Sequence, residues 1–183
     1  MRDLLESDAM PDEMSEAWSE AAGAVRAEWR ADEEEWSRAA LDHWEHGRSL
    51  ADVARHCMHR GDRVTVAFAA VAWSGVVVGV GHDVARIDAV AGPVDVRLAA
   101  DAPFVLRVRA GVAPPARHGA AVTTFIARLR ELDGTEVNIG TSGAVLEGRL
   151  RVGRDQLRLT DADGACAYVP TGSVWWVRPR DDD

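Results

Sequence analysis

One pattern occurs twice in this chain, and that repeat limits the fold more than any other feature. Gly61-Asp62-Arg63-Val64-Thr65-Val66 opens the first copy, which reaches Gly75 fourteen residues on. Gly134-Thr135-Glu136-Val137-Asn138-Ile139 opens the second, which reaches Gly148, also fourteen on. Gly81-His82-Asp83 and Gly153-Arg154-Asp155 follow, and Gly92 and Gly164 come eleven residues after those glycines. The offset is 73 up to the second glycine and 72 from the third, so the first copy has one extra residue before Gly81, expected as a β-bulge. Ile87 then matches Leu159, Val94 matches Cys166, Val96 matches Tyr168 and Phe104 matches Trp176. Internal repetition is an architectural signal. A unit this small buries only about 60% of its unfolded surface on its own, so the copies are expected to pack together.

Each copy reads as one helix followed by short strands. Ser49 with Asp52 three residues on makes a short capping box, Leu50, Val53, Ala54, Cys57 and Met58 form an apolar face, and Gly61 supplies the stop. In the second copy Val122, Phe125, Ile126, Leu129 and Leu132 mark a helix that stops at Asp133-Gly134. Alternating segments predict strands at 63–69, 74–80, 84–90, 94–98 and 104–108, and again at 136–140, 144–152, 156–160, 166–170 and 174–178. Turn residues separate them, and glycines fall where strands must bend. The expected class is therefore mainly β with helices, α+β: a helical arm followed by two fused helix-plus-five-strand barrels, small and strongly bent.

The arm precedes the repeat. Residues 1–35 hold 12 acids and 3 arginines, whereas residues 36–183 hold 18 of each, so the net charge of −9 belongs to the N-terminal segment. Residues 1–12 read as a disordered acidic tail. Over 13–46, Trp18, Ala22, Val25, Trp29, Trp36 and Ala40 recur at helical spacing, with acids on the other face. Trp18, Val25, Trp29 and Trp36 are the candidate partner-binding residues. The stripe serves either a partner, including a second copy, or the chain's own barrels. The barrels are expected at 47–110 and 116–180.

One helix, five strands and a second strand running Gly-x-apolar into Gly-x-Asp-x-x-x-apolar resemble the Sm-like fold. The residues that carry this are Gly75, Val80, Gly81, Asp83 and Ile87, repeated as Gly148, Val152, Gly153, Asp155 and Leu159. The chain thus resembles tandem Sm-like (LSm) small β-barrel proteins of bacterial type, and SH3-like barrels share much of the strand pattern. The resemblance implies fold. The asparagine with which RNA-gripping Sm proteins contact a base is replaced by Ile87 and Leu159, and the Arg-Gly pair of the second Sm signature is missing from both copies. Asp83 and Asp155 are expected to bond their own turns.

Chemistry-bearing constellations are sparse. His43 and His46, and His56 and His59 beside Cys57, have helical metal-ligand spacing, but Cys57 lies on an apolar face and no further ligand is spaced to complete a site. Gly140-Thr141-Ser142-Gly143 has no lysine and sits between strands, so it reads as a hairpin turn. No nucleophile has a base beside it, so neither an enzyme nor a cofactor is expected. Arg149, Arg151, Arg154 and Arg158, with Trp175 as the exposed member of its pair, make a candidate nucleic-acid face. All 21 basic residues are arginine, yet residues 104–180 carry only 11 arginines against 7 acids, short of a dedicated nucleic-acid binder. Two cysteines without CxxC spacing, an acidic N-terminus and no apolar run near the about 20 residues of a membrane span predict a cytoplasmic protein. The function expected is a non-catalytic scaffold working through a protein partner or self-association, with RNA or single-stranded nucleic-acid binding as the alternative.

Overall fold

Acid-rich and alanine-rich sequence from Asp12 onward favours helix, and the first element runs the full length predicted for the arm. In the computed structural model, which describes residues 12–111 and 123–180, helix α1 spans Asp12–His46. Gly23 does not break it, because one glycine costs a helix only about 1 kcal/mol relative to alanine. The expected acidic tail lies outside the described residues, apart from Asp12. Residues 1–47 and 48–183 form two units.

The second unit opens with α2, Leu50–Arg60. Ser49 Oγ accepts from the Asp52 N–H while the Asp52 carboxylate accepts from the Ser49 N–H, so two otherwise orphaned donors are satisfied. Gly61 ends the helix at φ 68, in the left-handed region that glycine enters without a Cβ clash. Strands β1 Arg63–Ala67, β2 Ala72–Val80, β3 Val84–Ala89, β4 Gly92–Arg97 and β5 Val105–Arg109 follow. Then come α3 Phe125–Glu131, capped by Thr124, and β6 Glu136–Thr141, β7 Val145–Val152, β8 Gln156–Thr160, β9 Cys166–Pro170 and β10 Val174–Pro179.

All ten strands lie in one antiparallel sheet that does not close, in the order β5-β1-β2-β3-β4-β10-β6-β7-β8-β9. The seam is a short pairing of β4 with β10, Val96 opposite Trp176 and Asp95 opposite Val177. The β-bulge expected before Gly81 appears as a register shift between Val77 and Gly79 against β3. Gly75 and Gly148 sit at matching places in β2 and β7. A Cβ at Gly75 would strike the Asp88 carbonyl, and one at Gly148 would lie 2.5 Å from the Thr160 carbonyl oxygen. Only glycine lets the neighbouring strand come that close.

Two cores flank the seam and exchange residues across it. α2 packs with Val64, Val66, Val77, Ile87, Val94 and Val96, and Trp175 and Trp176 of β10 enter the same cluster. Phe125 and Leu129 of α3 pack with Val137, Ile139, Leu150, Leu157 and Val177, and Val84 of β3 joins them. Trp73 meets Trp176 edge to face at 5.1 Å.

Candidate functional site

On α1, Val25, Trp29 and Trp36 are 50%, 73% and 79% exposed. Trp29 and Trp36 stand seven residues apart, two helical turns and about 10.5 Å along the axis, so they point to nearly the same side. Asp32 and Glu33 lie between them in sequence. The side chain of Trp18 lies outside the described residues.

In the second half, the arginines chosen from sequence are only partly brought together. Arg151 of β7 is directly opposite Arg158 of β8, whereas Arg149 is opposite Thr160. Arg149 is bound to Glu136 at 3.3 Å and Arg151 to Asp133 at 3.2 Å, which spends much of their charge. Arg154 is exposed in the turn that follows.

Trp175 corrects the sequence expectation, since it is 8% exposed rather than an open stacking platform. Alternation would have turned it outward, but the register of β10 against β6 shifts between Val174 and Trp176, and Val174 through Val177 are all buried. Arg97 lies over the Trp175 ring at 5.7 Å and donates to the Gly172 carbonyl. The aromatic that does face outward is Tyr168, 62% exposed and directly opposite Arg158. Its strand register with β8 would have revealed it, but strand pairing is not written in composition.

The ionic feature that sequence reading missed is buried. Asp95 on β4 has no exposed surface, and its two oxygens accept from Arg86 Nε at 2.8 Å and Arg128 Nε at 2.7 Å. Burial alone would lower the Arg128 guanidinium, but its hydrogen bonds to Asp95 and Glu131 outweigh that and hold it above its ordinary value. Asp83 also departs from expectation. Its carboxylate accepts from the Phe125 N–H at 2.8 Å, and so fixes the start of α3.

Burial, then the Asp62 charge, pushes the Cys57 thiol up, which disfavours the nucleophilic thiolate. Among the described residues, no three His, Cys, Asp or Glu side chains group as metal ligands, and no helix is long and apolar enough to cross a membrane. No protein-family model matches the chain, and no curated protein is similar enough to it to count as a relative.

Proposed function

We propose that this chain is a non-catalytic binding or scaffold module, built on two fused Sm-like units and acting through protein–protein contacts in the cytoplasm. The architecture is supported by strand order. Counted from the helix that opens each half, both halves run fifth, first, second, third, fourth, and the fourth strand of one joins the fifth of the other. The two free edges, β5 and β9, are again a fifth and a fourth strand, so a second copy is one available occupant.

The observation that carries the function is the exposed Trp29 and Trp36 pair on α1. Tryptophan is enriched at binding hot spots, and amphipathic helices commonly bind by laying such anchors in a groove. The helix holds 11 acids against 3 arginines, so two copies laid side by side along it would repel, and the charge favours a cationic partner. The test is affinity capture and sedimentation with the full chain carrying Trp29→Ser and Trp36→Ser. Partner retention is expected to fall while the melting temperature stays unchanged. A drop in melting temperature, or aggregation, would instead make the stripe part of the protein's own core.

The row Arg151, Arg158 and Tyr168 across β7, β8 and β9 favours a second reading, single-stranded nucleic acid on this face. It predicts salt-sensitive binding that Tyr168→Ala weakens.

A further inference from the structure

Three exposed arginines of the first half, Arg63, Arg107 and Arg109, lie on neighbouring strands. On β1, Arg63 is directly opposite Arg109 on one side and Val76 on the other. Two residues along β5, Arg107 is opposite Thr65, which in turn is opposite Ser74. Residues directly opposite, and residues two apart on one strand, share a face of the sheet. Arg63, Arg107, Arg109, Thr65 and Ser74 therefore lie together on the outer side of β5, β1 and β2. The three arginines are exposed, and among the described residues none of their side chains has a hydrogen bond or an ion pair. The Thr65 and Ser74 hydroxyl oxygens are 2.6 Å apart.

The second half shows that folding does not require this. At the matching positions it places Arg180, Glu136 and Arg149, with Arg149 bound to Glu136 and Arg180 bound to Glu147. Charges alternate in that row. In the first half Arg63 stands where Glu136 would be, facing another arginine, and like charges directly opposite on adjacent strands repel. The carboxylate in the row, Asp88, is separated from Arg63 by Val76, two strand spacings or about 10 Å away. Charges on a free edge keep it from pairing with other strands, which accounts for Arg107 and Arg109. It does not account for Arg63, which is on an interior strand.

We propose that Arg63, Arg107 and Arg109, with the Thr65 and Ser74 hydroxyls beside them, form a binding site for a phosphate-bearing ligand. Guanidinium forks match phosphate oxygens two at a time, and hydroxyls add neutral donors. A bound phosphate removes the arginine repulsion that the fold leaves in place. The site is separate from the tryptophan pair and goes beyond the protein-contact reading. Its phosphate comes either from a small phosphorylated compound or from the backbone of a single strand.

Two probes separate these sources with the full chain: inorganic pyrophosphate by calorimetry and a fluorescein-labelled oligothymidylate by anisotropy. Binding of either probe is expected. For the oligothymidylate, three phosphate contacts predict affinity falling about 15- to 20-fold between 50 and 200 mM salt. Arg63→Gln, Arg107→Gln and Arg109→Gln combined should abolish binding, whereas Arg130→Gln, at an exposed position of α3, should leave it unchanged. The first variant should also melt no lower than the native chain, since it removes repulsion and no bond. Binding of pyrophosphate alone identifies a small ligand, and binding of the oligonucleotide alone identifies a backbone. No binding of either probe at low salt, or binding that survives the first variant, would overturn the proposal and leave Arg107 and Arg109 as guards of the β5 edge.

Discussion

Asp95 accepts a 2.7 Å hydrogen bond from Arg128, and that bond fastens the fourth strand of the first half, β4, to the helix that opens the second. Asp95 is fully buried and Arg128 is 16% exposed, so neither can turn to water if its partner is removed. Breaking a buried pair from one side strands a charge and costs about 3–5 kcal/mol. Asp95→Asn leaves Arg86 without its carboxylate and Arg128 with Glu131 alone, and is expected to lose about 3 kcal/mol in urea unfolding. Arg149→Gln removes a pair whose arginine is mostly exposed and should change stability by less than about 1 kcal/mol.

Gly148 and Gly164 separate two effects that glycine can serve. Both have positive φ, 145 and 83, but a Cβ at Gly164 meets nothing within 4 Å, while at Gly148 it meets the Thr160 carbonyl. Gly164→Ala should therefore cost only the left-handed backbone penalty, about 1–2 kcal/mol. Gly148→Ala adds a clash with a neighbouring strand and is expected to cost roughly 3 kcal/mol or more. Chemical denaturation of the two variants compares them directly, and equal losses would show that β7 can move away from β8.

What the sequence made legible was local. The cap at Ser49, the stop at Gly61, the strand positions and the extra residue before Gly81 all follow from spacing and residue type, and each has its counterpart in the structure. What it hid was pairing. Matching Phe104 to Trp176 was one residue out, because Leu106 faces Val66 just as Val177 faces Ile139. The irregularity between Val174 and Trp176 buries Trp175. The acids that occupy Arg149 and Arg151 come from β6 and from the turn after α3, and only register brings them close. Asp95 reads as an interruption in an apolar strand until Arg86 and Arg128 are seen to converge on it.

The two cysteines should differ sharply in reactivity. Cys166 is exposed, whereas Cys57 is buried and its thiol is pushed up by burial and by Asp62. Attack on a disulfide reagent requires an accessible thiolate. Under native conditions one thiol per chain should react promptly with Ellman's reagent, and the second only after denaturant is added. Cys166→Ser should abolish the fast phase. A fast phase that persists in this variant would mean that α2 opens readily.

Asp52 gives the cap of α2 a pH dependence whose sign can be worked out. Hydrogen bonds from the Ser49 side chain and backbone, with Arg55 beside them, favour the charged carboxylate and hold it below the ordinary aspartate value of 3.8. A folded-state value lower than the unfolded one contributes stability that is fully present above 3.8 and disappears as pH falls through the folded value. Asp52→Asn removes the titration while keeping the size of the side chain. The native chain should be the more stable of the two at pH 6, and the gap should close at the acid end of a denaturation series. A gap that stays constant with pH would show that the Asp52 charge is not what secures the cap, and Ser49→Ala, expected to cost about 1 kcal/mol, would then report the hydroxyl's part alone.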